Sequence, residues 1–161
     1  MKYEEQGGPA LRDLVDVLRN FGDPRDVTSL LRRTTFNMAV GNADAHAKNF
    51  SVLHEPDDPT IGLAPLYDVL STIALELTDS SGQPMRADTH LGQRVGGEDD
   101  IRRVTSANLI DEGVTWGIGR RAGSAVVTET LEQVITAIPA TPGDDRVLAV
   151  IRGQAERISR G

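Results

Sequence analysis

From Pro9 onward the apolar residues Leu11, Leu14, Val15 and Leu18 recur three and four positions apart, with Gly22 just past the last of them. The spacing predicts a helix with the proline in its first turn and a stop at Phe21-Gly22. After Asp23-Pro24, a second run sets Val27, Leu30, Leu31, Phe36 and Met38 largely on one side and continues to Val40-Gly41, which reads as a second, mostly buried helix. The pattern then breaks. Gly41 to Asn49 holds glycine, two asparagines, an aspartate, a histidine and a lysine, a density of polar groups that a mere connector does not need.

Two short apolar runs follow, Phe50-Ser51-Val52-Leu53 and Ile61-Gly62-Leu63-Ala64, on either side of the turn-rich Glu55-Pro56-Asp57-Asp58-Pro59; they read as a β-hairpin. Val69 to Leu75 is expected to form a short helix, and Thr78 to Arg86, with Ser80, Ser81, Gly82 and Pro84, a flexible loop. Helical periods return from about Ser106 to Trp116, through Ala125, Val126, Leu131, Val134, Ile135 and Ile138, and over Val147, Leu148, Ile151 and Ile158. Pro139 and Pro142 separate the last two. The fold class expected is mainly α with one small β-hairpin, in a single domain over 1–161.

Composition narrows the chemistry. With no cysteine, disulfides and thiolate chemistry are excluded, leaving histidine and carboxylates as metal ligands. The 17 basic against 24 acidic side chains give a formal charge of −7, which disfavours direct nucleic-acid binding; the arginine pairs 102–103 and 120–121 read as solvated helix faces. No apolar run approaches the roughly 18 residues of a membrane span, and the polar opening Met1-Lys2-Tyr3-Glu4-Glu5 is unlike a signal peptide, so a soluble, cytoplasmic protein is expected.

Phosphoryl transfer from a nucleotide needs a carboxylate to orient the attacking hydroxyl and oxygen ligands to hold magnesium against the phosphates. In protein kinases an asparagine follows the catalytic aspartate by five residues, and a metal-binding aspartate comes after the next two strands. Here Asp44 precedes Asn49 by the same offset, the expected hairpin follows, and Asp68 comes directly after Ala64-Pro65-Leu66-Tyr67. Three hard oxygen groups would meet at one hairpin mouth. Many kinases place a lysine two positions after the aspartate to offset phosphate charge; His46 stands there, and whether Lys48 takes that role or points to solvent is left open by the spacing. Taken singly, Asp44 and Asn49 fit caps or turn formers, Asp68 fits a cap for the helix expected after it, Tyr67 and Phe50 fit packing, and His54 and His90 fit ordinary surface positions. Joint occurrence favours the site.

The string Gly41-Asn42-Ala43-Asp44-Ala45-His46-Ala47-Lys48-Asn49-Phe50-Ser51, followed by Leu63-Ala64-Pro65-Leu66-Tyr67-Asp68-Val69, resembles the signature of the HipA family of bacterial toxin kinases. Lys2-Tyr3-Glu4 with Gly7-Gly8-Pro9, and Gly96-Gly97-Glu98, are weaker echoes. The resemblance implies the large lobe of a kinase-like fold, ATP with Mg2+, and a serine or threonine acceptor on a protein such as an aminoacyl-tRNA synthetase. It also implies a small helix-turn-helix antitoxin of the HipB kind as partner. By position Asp44 is then the catalytic aspartate, with His46 and Lys48 beside it, and Asn49 and Asp68 are the metal and cofactor ligands.

One departure accompanies the match. Gly117-Ile118-Gly119-Arg120-Arg121-Ala122-Gly123 has the wrong spacing and position for a phosphate loop, so the nucleotide-covering lobe would have to precede Met1 or come from a separate chain. Without it, nucleotide alignment and activity are expected to be lost. The competing readings are an inactive truncated module that binds an antitoxin-like partner, a small-molecule phosphotransferase, and, most distantly, a metal hydrolase built on Asp44, His46 and His54.

Overall fold

Helix α1 (Leu11–Phe21) buries Leu11, Val15 and Leu18 along one stripe and leaves Arg12, Asp13, Asp16 and Arg19 outside, as the spacing requires. These elements belong to a computed structural model that describes residues 8–54, 56–57, 60–78, 80–85 and 87–161. The Lys2-Tyr3-Glu4 and Gly7 part of the family-like opening lies outside the described residues, as do Glu55, Asp58 and Pro59 of the expected turn and Asp79 and Arg86 of the expected loop. Pro9 precedes the helix instead of opening it. Ala10 is the cap, and its N–H donates to the Asp13 carboxylate at 2.9 Å.

Helix α2 (Pro24–Val40) is the axis of the molecule. It packs against α1, against the three helices at the C-terminal end and against the second strand of the first hairpin. Val27, Leu30, Leu31, Thr34, Thr35, Met38 and Ala39 are all buried, a wider apolar surface than one amphipathic stripe. Asp23 caps its start, accepting from the Arg25 N–H at 2.7 Å, with Pro24 in the first turn. Gly41 ends it in the left-handed conformation (φ 79°), and the Asn42 N–H reaches back to the Asn37 carbonyl at 2.9 Å. A side chain at Gly41 would also collide with Ile73.

The three C-terminal helices are α3 (Ser106–Thr115), α4 (Arg120–Ala137) and α5 (Asp145–Arg160), close to the expected ranges. Thr105 and Asn108 cap α3 reciprocally, at 2.9 and 3.3 Å, and Asp144 caps α5. Buried Gln154 on α5 donates to the carbonyls of Met38 and Ile101 at 3.2 and 3.1 Å, tying the last helix to the end of α2.

Among the described residues the expected hairpin is joined by two further small antiparallel ladders. Strands β1 (Val52–His54) and β2 (Ile61–Leu63) pair in the register Val52 to Leu63, where the sequence placed them. Two-residue strands β3 (Leu77–Thr78) and β4 (Pro84–Met85) pair inside the segment expected to be an irregular loop; strands this short carry no alternation for a sequence pattern to register. Strands β5 (His90–Val95) and β6 (Glu98–Asp100) are joined by Gly96-Gly97, both at positive φ, the backbone that a two-residue hairpin turn demands. The helix expected over Val69 to Leu75 contracts to a single 3-10 turn at Thr72–Ala74, so no helix begins at Asp68 for it to cap. The backbone groups there are spent elsewhere: the Ile73 N–H and the Thr72 hydroxyl both donate to the Gly41 carbonyl, at 3.2 and 3.1 Å.

Three of the four paired arginines are matched by carboxylates, and the 102–103 pair lies in a turn and not on a helix face. Arg102 binds Asp100 at 2.5 Å, Arg103 binds Glu98 and Asp99 at 2.8 and 2.9 Å, and Arg120 binds Asp111 at 2.6 Å. Among the described residues no helix is long and apolar enough to cross a membrane.

A Cβ at Gly96 would stand 2.3 Å from the Asn108 carbonyl oxygen, at a φ of 56° that L side chains rarely adopt. Gly96→Ala is therefore expected to cost more than about 2 kcal/mol in thermal unfolding; an unchanged midpoint would contradict the packing of this turn on α3. A second expectation concerns Asp23, whose carboxyl is held down to about 2 by the Arg25 side chain and N–H. Because the folded value lies below the ordinary one, the stability contributed by this cap is fully present above about pH 4 and is lost as pH falls through about 2. Titration of the Asp23 carboxyl carbon by NMR checks it, and an ordinary aspartate midpoint would refute it.

Candidate functional site

The loop leaving α2 is shaped by its own polar residues. After the left-handed turn at Gly41, Asn42 is buried, and its side-chain N–H donates to Asn37 Oδ1 at 2.8 Å and to the Asp68 carbonyl at 3.4 Å. The Ala43 N–H donates to the Thr72 hydroxyl at 2.8 Å, and the Ala43 carbonyl accepts from the Gly92 N–H of β5 at 2.8 Å. The loop is thus pinned from two sides. Asp44, half-buried, sits in the turn between these anchors, and a single 3-10 turn at Ala47–Asn49 returns the chain to β1.

Asn49 is buried at the end of that turn. Its Oδ1 accepts from the His46 N–H at 3.1 Å, and its Nδ2 donates to Asp68 Oδ2 at 2.8 Å. The two ends of the first hairpin are therefore in direct contact through the side chains that the sequence selected as metal ligands. Asp68 itself is exposed and adopts φ 55°, a left-handed conformation that aspartate tolerates better than most residues. His46 lies beneath the loop, with both ring nitrogens shielded from solvent. Lys48 is exposed, and its carbonyl accepts from the Tyr67 hydroxyl at 2.6 Å.

Tyr67, expected to pack in the core or on the hairpin, is not in the core but is tied to the hairpin side by its hydroxyl. It is exposed, and its hydroxyl also shares a hydrogen bond with Ser51 Oγ at 2.9 Å. Phe50 is buried, and His54 and His90 are exposed, as expected. Among the described residues no three His, Asp or Glu side chains converge on a common point, so the hydrolase trio Asp44, His46 and His54 is not assembled. An ion at the hairpin mouth would draw on one carboxylate and one amide oxygen. That set suits magnesium, which binds through one or two protein carboxylates and completes its shell with water and phosphate oxygens. Asn49 Oδ1 keeps a second lone pair for this after its bond to the His46 N–H.

Several residues that hold this arrangement escaped the sequence reading. Arg33 donates through Nη1 to the Ala64 carbonyl and through Nη2 to the Leu63 carbonyl at 3.2 Å, fixing the end of β2. Burial pushes its pKa below the usual arginine value, with Asp26 offsetting part of the effect. Asn37 links Arg33 to Asn42, as its Nδ2 donates to the Arg33 carbonyl at 3.0 Å. The one available signal was their spacing: Arg33 and Asn37 are four residues apart on the helix preceding the loop, and hence on one face.

The HipA-like C-terminal domain family model matches residues 1–141. Among curated relatives, "Putative kinase Y4mE" of Sinorhizobium fredii (strain NBRC 101917 / NGR234) is 48% identical over 153 residues, covering 87% of this chain and 32% of that protein. "Putative kinase Y4dM" of the same organism is 48% identical over 48 residues, 30% of this chain and 12% of its own length. Among solved structures, HipA in the Shewanella oneidensis MR-1 complex of HipA, HipB and operator DNA superimposes with a TM-score of 0.74 at 21% identity, over 95% of this chain and 36% of that one. The chain therefore spans about a third of the length of the longer relatives it matches. With the family model extending from Met1 through both halves of the hairpin mouth, this chain belongs to the HipA-like C-terminal domain family.

Proposed function

We propose that this chain is the catalytic lobe of a HipA-like serine/threonine protein kinase, and that Asn49 and Asp68 hold Mg2+ against the phosphates of ATP. The observation that supports the reading is the 2.8 Å contact between Asn49 Nδ2 and Asp68 Oδ2, which sets that amide beside that carboxylate although the two residues are 19 apart in the chain. Bound there, the ion would neutralise charge on the transferring and leaving phosphate oxygens.

Asp44, on the same loop and five residues before Asn49, orients the acceptor hydroxyl and takes its proton. The serine or threonine oxygen attacks the γ-phosphorus, the bond to the β–γ bridging oxygen breaks, and ADP leaves. Lys48, exposed on the loop, is better placed than the buried His46 to meet phosphate charge. In this reading His46 acts through its main-chain N–H, which orients the Asn49 amide.

The remaining contacts to ATP belong to a nucleotide-covering lobe, supplied by a longer parent polypeptide or a separate chain. The support is that the relatives are about three times as long as the segment they share with this chain. A HipB-like helix-turn-helix antitoxin is the expected protein partner, since the Shewanella HipA is found with HipB and operator DNA. The phosphorylated protein would be a cytoplasmic one, such as an aminoacyl-tRNA synthetase. No direct contact of this chain with nucleic acid is expected, given its charge of −7.

Two substitutions separate the roles. Asp68→Asn should weaken binding of a magnesium–nonhydrolysable-ATP complex at least tenfold, about 1.4 kcal/mol, in isothermal titration. Asp44→Asn should leave that affinity unchanged while lowering phosphoryl transfer, assayed with the covering lobe present, by roughly 100-fold or more. Equal metal–nucleotide affinity in wild type and Asp68→Asn would refute the ligand assignment, and full transfer by Asp44→Asn would refute the assignment of the base.

A further inference from the structure

The conformation of Asp68 needs an explanation that its own side chain does not supply. It is the one non-glycine residue at positive φ among the described residues, and for an ordinary L residue that backbone costs about 1–2 kcal/mol. Such strain persists where neighbouring structure over-determines it. Packing does not do so here, because Asp68 and its neighbours Tyr67 and Val69 are all exposed. The Tyr67 hydroxyl ties the segment to Lys48 and Ser51 on one side, and a second grip, on the Asp68 main chain itself, comes from the side of helix α2.

Arg33, Asn37 and Asn42 form a continuous polar line along that side. Arg33 holds the carbonyls of Leu63 and Ala64. Asn37 donates to the Arg33 carbonyl, Asn42 donates to Asn37 Oδ1, and the same Asn42 amide nitrogen reaches the Asp68 carbonyl. Both asparagines are 2% exposed, so water does not compete for their amides.

The direction of the line is dictated by chemistry. The Arg33 carbonyl can only accept, so the NH2 of Asn37 must face it and Oδ1 must face Asn42. Asn42 must then turn its own NH2 inward, which leaves its second N–H for the Asp68 carbonyl and no acceptor pointing there. A single helix carbonyl thereby sets the orientation of two amides in series. The final bond, at 3.4 Å, is long for an N–H···O contact. Its leverage lies in the rigidity of its base and in Arg33 fixing the same segment four residues upstream of Asp68.

We infer that Arg33, Asn37 and Asn42 are positioning residues that hold the Asp68 main chain in its left-handed conformation, and so aim its carboxylate at Asn49. This rests on the assignment of Asp68 as a metal ligand for its consequence, but not for its geometry. None of the three touches the ion or the phosphates. Their effect passes through the backbone of Asp68, whose Oδ2 lies 2.8 Å from Asn49 Nδ2.

The test uses the full 161-residue chain and two readouts. In a metal-free 15N spectrum, Asn42→Ser, too short to reach the Asp68 carbonyl, should move the Asn49 side-chain amide signal in the same direction as Asp68→Ala does, since each removes the acceptor of that amide. In titration with Mn2+ alone, Asn42→Ser should bind at least fivefold more weakly than wild type. Asp144→Ala, which removes the cap of α5 on a different element, should lower the unfolding midpoint without changing either readout. Asn37→Ser serves as the second variant, and its effect combined with Asn42→Ser should fall well short of the sum of the two, as members of one line require. An Asn49 signal that stays at its wild-type position in both serine variants would overturn the inference. Failure of the wild-type chain to bind Mn2+ would instead count against the metal reading, leaving the amide signal to decide the positioning role.

Discussion

The contact between the Asn49 amide and the Asp68 carboxylate, 2.8 Å apart, is the constraint on which the rest of the structure converges. Asn49 ends a turn that follows α2, and Asp68 ends a segment that follows β2, so their meeting requires the hairpin between them to fold back on the helix that precedes it. Both partners are polar and one is buried, which makes the contact expensive to leave incomplete. The His46 N–H and the Asn49 N–H, which bonds the His46 carbonyl at 2.9 Å, close the turn around the amide. Its remaining freedom points toward Asp68.

Helix α2 explains how such a contact is held. Its hydrophobic residues are buried on several sides by α1, α3, α4 and α5, so the helix is the least displaceable element available. Asp23 caps its start, Arg33 reaches sideways to the end of β2, Asn37 holds the buried Asn42, and Gly41 turns the chain into the loop. From the far side, β5 braces the loop through Gly92, and α5 reaches the end of α2 through Gln154. Much of the C-terminal half thus serves as a foundation for a site that lies almost wholly between residues 41 and 68.

What the sequence disclosed follows from locality. The offset from Asp44 to Asn49 and the return to Asp68 were legible because kinase sequences carry groups of these kinds in this order. The five long helices were legible because each carries an apolar stripe over at least ten residues. The failures have equally physical causes. Strands of two residues such as β3 and β4 cannot alternate, and in β5 a buried Gln93 stands among the apolar positions, hiding its period; Gly96-Gly97 was the overlooked turn signal. Val69 to Leu75 reads as a short helix, yet Val69, Leu70 and Leu75 are exposed with no face to bury, and the backbone at Ile73 is bonded to the Gly41 carbonyl instead. Arg33 and Asn37 were invisible as site residues, and Asn42 stood in the family-like string without a role of its own, because their partners are main-chain carbonyls and one another.

The central claim, that Asn49 and Asp68 share one divalent ion, is tested most directly by paramagnetic broadening. Substoichiometric Mn2+ added to the 15N-labelled chain should erase the Asn49 side-chain amide and the main-chain amides of residues 67–69 first, while signals from the far end of α5 keep their intensity. Broadening that begins elsewhere, for instance at the acidic strand β6 with Glu98, Asp99 and Asp100, with Asn49 and Asp68 untouched, would contradict the account.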